Sequence, residues 1–172
     1  MKFFDLYQEV SNRIRGYDYH FVRTVDRFIK DYFNGRKLTG IEVSVGDYNH
    51  VNSVIRFLNL DRLYVVNPLS VHDVDANRVL FSRLKDVYKV VCVVDRVKDW
   101  NLNQLVDFVY LNGISLKDDL GFFYPFVRPG GVFGGYIPSV LQVDVLKVLF
   151  SFVEEHGLVL DGDKNSWWVI KK

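Results

Sequence analysis

Apolar residues in the first part of the chain recur at helical spacing. Phe3, Leu6 or Tyr7, Val10 and Ile14 form one stripe, Gly16 interrupts it, and Phe21, Val25, Phe28, Ile29 and Tyr32 form a second. Asn34-Gly35 is a stop signal for that second helix, because Gly and Asn enter the left-handed conformation that closes a helix. The pattern then changes to short apolar runs. Ile41–Val45, Leu63–Val66, Tyr88–Val94 and Val106–Leu111 predict strands, and the stretches near 51–58, 74–85 and 101–105 between them predict helices. Strands that alternate with helices pack as a mainly parallel sheet with helices on both faces.

The second half continues the alternation. Leu116, Leu120, Phe123 or Tyr124 and Val127 predict a helix over 116–127, with Pro129 as its stop and Gly130-Gly131 turning the chain into a strand through about Gly134. Ser139 and Gln142 have the spacing of a capping box, so a long helix is expected from there to Glu155 or His156, closed by Gly157. Leu158–Leu160 and Trp167–Ile170, across the polar turn Asp161–Asn165, predict an antiparallel hairpin. No repeat, low-complexity segment or linker divides the chain. One domain over 1–172 is expected, with leading helices in 1–34 and an α/β core in 36–172.

A chain of 172 residues supports one hydrophobic core, and 49% apolar with 25% charged residues are the proportions of a globular protein. No apolar run approaches the roughly 18 residues of a membrane span, and Met1-Lys2-Phe3-Phe4-Asp5 lacks the apolar core of a signal peptide, so a cytoplasmic protein without a membrane partner is expected. The 22 basic and 21 acidic residues are interspersed for a net charge of +1, which excludes the strong field of a dedicated nucleic-acid binder. Cys92 is the single cysteine, which excludes an intrachain disulfide and a cysteine-based zinc cluster. His20, His50, His72 and His156 are not at metal-ligand spacing; His156 is expected against a helix C-terminus and His50 on the surface of a helix start.

The segment Arg128-Pro129-Gly130-Gly131-Val132-Phe133-Gly134-Gly135-Tyr136, read with the Ser166-Trp167-Trp168-Val169-Ile170-Lys171 ending, resembles the carboxyl-terminal half of class I S-adenosylmethionine-dependent methyltransferases. Gly40-Ile41-Glu42-Val43-Ser44-Val45-Gly46-Asp47-Tyr48-Asn49 is similar to the family's first motif, an acidic residue followed by alternating glycines; Glu42 and Gly46 match, while Ser44 and Tyr48 replace the other glycines. Leu63–Pro68 resembles the second motif, with Asn67 where the family carries the acid that binds the ribose hydroxyls. Val106–Gly113 is similar to the fourth strand of the small-molecule and sugar-type branch, with Asn112 in place of its acid. The resemblance implies a Rossmann-like, seven-stranded, mainly parallel sheet ending in an antiparallel hairpin, with two leading helices. It also implies a degenerate cofactor site built from Glu42, Ser44, Gly46, Asp47, Asn49, Asn67, Asp95, Arg96 and Asn112.

The histidines, tyrosine and aspartate that would hold a metal in that branch are missing: Ile114-Ser115-Leu116 and Gly135-Tyr136-Ile137 stand in their places. No metal is therefore expected, and no catalytic base is identified. Methyl transfer needs chiefly in-line alignment and exclusion of water. The expected function is S-adenosylmethionine-dependent methyl transfer to an unidentified small-molecule or protein acceptor. The alternative is a cofactor-free protein on the same fold, a pseudoenzyme acting as a binding or oligomeric module. A homodimer contact would then use whichever of Trp167 and Trp168 points outward, beside Phe122, Phe123 and Phe126.

Overall fold

The computed structural model describes residues 22–44, 49–66, 90–93, 102–112, 116–137, 142–163 and 165–172. Helix α1 is Thr24–Tyr32, followed by strand β1 at Leu38–Ser44, helix α2 at Asn49–Phe57 and strand β2 at Leu60–Val66. Strands β3 (Val90–Val93) and β4 (Val106–Asn112) come next, then helix α3 (Leu116–Phe123), β5 (Val127–Tyr136), α4 (Gln142–Glu155), β6 (Asp161–Gly162) and β7 (Ser166–Ile170). The strands form one seven-stranded sheet in the order β3-β2-β1-β4-β5-β7-β6, the last being two residues long. Neighbours from β3 to β5 are parallel, and β7 runs antiparallel to both β5 and β6. The expected α/β fold with its closing antiparallel hairpin is therefore present. The predicted stripe Phe3–Ile14, the helix near 74–85 and the Ser139 cap lie outside the described residues.

Apolar side chains fill both faces of the sheet. Ile41, Val43, Val109, Leu111, Phe133 and Trp167 pack with Leu120 of α3 and Leu149 of α4 on one face. On the other, Leu63, Val65, Phe108, Tyr110 and Trp168 pack with Val25 and Ile29 of α1 and Val51 and Val54 of α2. Helix α1 closes where expected, with Asn34 and Gly35 both at positive φ (50° and 67°). Among the described residues no helix is long and apolar enough to cross a membrane.

Several sequence expectations are corrected. Trp167 and Trp168 are both buried, because α1 lies over the face that Trp168 presents: its ring stacks on Phe28 at 4.9 Å between centroids, while Trp167 meets Phe133 edge-on across the other core. Neither ring is the outward surface expected for a dimer contact. Residues 102–105 bend without forming a helix. Helix α3 ends at Phe123 in a single 3-10 turn over Tyr124–Phe126, since Pro125 has no N–H to extend the helical ladder, and the chain is already extended at Val127. Pro129-Gly130-Gly131 then lies inside β5, as a bulge where the register against β4 jumps from Val106↔Val127 to Phe108↔Val132. Gly130, at φ 72°, donates its N–H to Lys171 O at 2.7 Å, so the bulge pairs with the tail after β7. Leu158–Leu160 is not a strand. The pairing residues are Asp161 and Gly162, because Asp163 makes the turn: its Oδ1 accepts the N–H groups of Asn165 (3.0 Å) and Ser166 (2.7 Å).

Candidate functional site

In an open parallel sheet ligands bind beyond the carboxyl ends of the strands, where the strand order reverses. Here that point lies between β1 and β4. Glu42 of β1 and Tyr110 of β4 are register partners, so their side chains project from the same face, and Ser44 and Asn112 are the partners at the rim. Helix α2 returns from the loop after β1 and places His50, in its first turn, over Tyr110: the two rings stack at 4.3 Å with 23° between planes.

His50 is held between two carboxylates. Its Nδ1 lies 2.9 Å from Glu42 Oε1 and its Nε2 lies 2.8 Å from Asp26 Oδ2. Asp26 Oδ2 also accepts the Arg23 backbone N–H at 2.6 Å, which fixes the acid at the start of α1. The group is removed from water, with Glu42 0%, Asp26 1% and His50 3% exposed. Burial alone would depress the His50 pKa; Glu42 and Asp26 outweigh it and raise it to about 10. The imidazole is thus a cation at neutral pH, with both ring N–H groups donating. The guanidinium of Arg23 lies over the Tyr136 ring, 4.0 Å from its centroid, and its charge acts on the Tyr110 phenol.

Among the described residues, three buried polar atoms around this group have no hydrogen-bond partner: Arg23 Nε, Glu42 Oε2 and Tyr110 Oη. Burial, and then the charge of Asp26, push the Tyr110 phenol well above its usual pKa, so it stays a neutral donor. A buried orphan of this kind costs on the order of 1–3 kcal/mol, which a fold retains where a ligand satisfies it.

Of the residues expected at the cofactor site, Glu42 is in this cluster. Asn112, half-buried, ends β4 beside Ser44, and Asn49 opens α2 next to His50. Gly46, Asp47, Asn67, Asp95 and Arg96 lie outside the described residues. His50, expected on the surface, is buried because α1 closes over the start of α2 and brings Asp26 to it. Asp26 and Tyr110 were missed by sequence reasoning. The one available signal for Asp26 was an acid next to Val25 in the buried stripe of α1; Tyr110 reads as an ordinary strand aromatic. His156 takes the helix-end position expected of it, its Nδ1 lying 2.9 Å from Phe152 O. No group of three or more His, Cys, Asp or Glu side chains that could hold a metal ion occurs among the described residues.

No protein-family profile matches the sequence, and no curated protein matches it. Solved structures do match. An S-adenosylmethionine-dependent O-methyltransferase from Thermotoga maritima superposes with a TM-score of 0.65 at 11% identity, over 86% of this chain and 64% of its own. This chain thus spans under two thirds of that protein's length. A methyltransferase from Pyrococcus furiosus gives 0.63 at 13% identity, over 96% of this chain and 95% of its own. The N-methyltransferase NodS from Bradyrhizobium japonicum, in complex with S-adenosyl-L-homocysteine, gives 0.60 at 10% identity, over 91% and 88%. The fold is that of the class I S-adenosylmethionine-dependent methyltransferases.

Within this methyltransferase fold the Asp26–His50–Glu42 cluster sits one step inside the carboxyl rim, at the β1–β4 reversal. The cluster ties helix α1 to the end of β1 and the start of α2, the elements on either side of residues 45–48.

Proposed function

We propose that the chain binds S-adenosylmethionine at the β1–β4 rim and transfers its methyl group to an acceptor without a metal. The observation that carries this reading is the pair of unpartnered buried atoms, Glu42 Oε2 and Tyr110 Oη, at the strand-order reversal. Together they offer an acceptor for an ammonium group and a donor for an oxygen, which suits the amino-acid end of the cofactor. When bound, the cofactor supplies an activated methyl group on a sulfonium. Glu42, Ser44, Gly46, Asp47 and Asn49 would hold its amino-acid end. Asn67 would accept from the ribose hydroxyls more weakly than a carboxylate, since charge-assisted hydrogen bonds are roughly twice as strong as neutral ones. Asp95 and Arg96 would lie toward the adenine, and Asn112 would face the transfer site.

This chain's own contribution is orientation. His50 and Asp26 hold Glu42 in one rotamer, and the helices packed on the sheet keep water from the site. The net charge of +1 supports an acceptor other than a nucleic acid.

The deciding experiment is a thermal shift with S-adenosylmethionine and with S-adenosylhomocysteine, followed by calorimetry. Ligand at a hundred times Kd contributes about 2.7 kcal/mol, and each kcal/mol raises the melting point of a domain this size by about 2–4 °C. A shift with both ligands is the expected result. No shift at millimolar concentration would overturn the reading.

A further inference from the structure

At the amino end of the sheet, away from the β1–β4 rim, two arginines converge on one carboxylate. Arg36, in the turn before β1, donates an Nη2–H to Asp107 Oδ1 at 2.8 Å, and Arg128 Nε, near the start of β5, lies 2.7 Å from the same oxygen. The second oxygen, Oδ2, accepts the Thr39 backbone N–H at 2.7 Å. Asp107 is thus used on both oxygens, and its one negative charge faces two positive ones. Asp107 and Asn112 mark opposite ends of β4, so at about 3.3 Å per residue the group lies roughly 17 Å from the rim.

Both guanidiniums are held in place without a ligand. Arg36 Cζ stands 5.1 Å and Arg128 Cζ 5.6 Å from the centroid of the Phe33 ring, which is buried at the end of α1. Tyr32 meets Phe33 edge-on and donates its hydroxyl to Gly130 O, which ties the end of α1 to the β5 bulge beside the pair. Each guanidinium nevertheless spends only one nitrogen on Asp107. Among the described residues, Arg36 Nε and Nη1 and Arg128 Nη1 and Nη2 have no hydrogen-bond partner, and the two side chains are 49% and 34% exposed. The adjoining bulge leaves room, since a Cβ on Gly130 would meet nothing within 4 Å. Lys37, the next cation along the chain, is already paired with Asp61 at 3.2 Å.

A clasp between the α1–β1 corner and β5 needs one cation on Asp107; the second leaves an excess positive charge that an anion neutralises. We propose that the Arg36–Arg128 pair binds a phosphate group, inorganic or carried on a small molecule. A guanidinium presents a planar fork of N–H donors that matches phosphate oxygens, and such charge-assisted hydrogen bonds are roughly twice as strong as neutral ones. Because the side chains are already ordered on Phe33, binding immobilises less. The surroundings set the size of the ligand. Asp61 and Asp107 interrupt the positive surface, so the site is one phosphate wide and lacks the row of free cations that a nucleic-acid strand needs. The distance to the rim keeps the phosphate away from the proposed methyl transfer, and the site does not depend on the methyltransferase reading.

The test uses the full chain and ¹H–¹⁵N spectra of the arginine Nε–H groups, with Arg128→Gln identifying the Arg128 signal. Inorganic phosphate is titrated at constant ionic strength against sodium chloride, with acetate as a second anion. The expected result is a shift of the Arg128 signal that saturates below millimolar phosphate and is absent with acetate. Arg36→Gln should weaken phosphate about two- to fivefold, the worth of one exposed charge pair. Arg36→Lys keeps the charge but loses the fork, and should weaken phosphate as well. Melting curves establish that each variant is folded. Failure to saturate at millimolar phosphate, an equal response to acetate, or unchanged affinity in both Arg36 variants overturns the proposal. A short oligouridylate should bind no more tightly than phosphate; a shift at lower concentration overturns the small ligand in favour of a nucleic-acid backbone.

Discussion

His50 Nδ1 lies 2.9 Å from Glu42 Oε1, so the acid near the end of β1 enters the site already paired to a buried imidazolium. One oxygen of Glu42 is committed to the protein and the other is free. The committed oxygen sets the rotamer; the other is the one the proposed cofactor contact would use. With Asp26 on the far side of the ring, the same imidazolium also fastens α1 to the sheet.

Breaking that pairing should be costly. His50→Gln leaves two buried carboxylates without their cation, and removing one partner of a buried ion pair costs about 3–5 kcal/mol. Urea denaturation should show an unfolding free energy lowered by that amount, with a correspondingly lower midpoint. A loss below about 1 kcal/mol would mean that the carboxylates are solvated.

The same pair gives stability a pH dependence of definite sign. The folded pKa of His50 is about 10, above its ordinary value of 6.5, so the folded state binds the extra proton between these values. The contribution is fully present below about pH 6.5 and is lost as pH rises to about 10. Melting temperatures measured across that range should fall for the parent chain, and His50→Gln should flatten the profile.

Tyr110→Phe separates stability from binding. The hydroxyl is buried without a partner, so its removal should raise stability by about 1 kcal/mol. If the hydroxyl meets the cofactor, the same change weakens S-adenosylhomocysteine binding in calorimetry. A more stable variant with unchanged affinity would place the cofactor away from Tyr110.

Gly40 and Phe108 are register partners, and a Cβ on Gly40 would stand 2.1 Å from the Phe108 ring. Gly40→Ala should therefore destabilise by about 1–3 kcal/mol through overpacking. Combining it with Phe108→Leu should cost less than the sum of the two single changes, a coupling that a double-mutant cycle measures.

Asn67→Asp restores a charged acceptor at the second-motif position. It should tighten S-adenosylhomocysteine binding in a titration, and an unchanged or weaker affinity would remove Asn67 from the ribose contact.

Much of the fold was legible in the periodicity of the chain. Val25 and Ile29 of the helical stripe are both in the core, and the predicted runs at Ile41–Val45, Leu63–Val66 and Val106–Leu111 fall on β1, β2 and β4 to within a few residues. Element ends were less legible, because they depend on partners distant in sequence. Pro129-Gly130-Gly131 reads as a turn, yet it stays in β5 because Lys171 supplies hydrogen bonds to the bulge. Asp161 and Gly162 read as turn residues, yet they pair with Trp168 and Trp167.

By itself, then, the sequence determined the order and kind of the main elements, through the spacing of apolar side chains and local stop signals, and the candidacy of Glu42, through its motif. Tertiary structure decided what Glu42 does. A buried carboxylate, an imidazole eight residues later and an acid sixteen residues earlier carry no mutual signal in a linear pattern. They become one ionic group only when α1 and α2 pack on the same face of the sheet, where the absence of water makes each charge depend on the others.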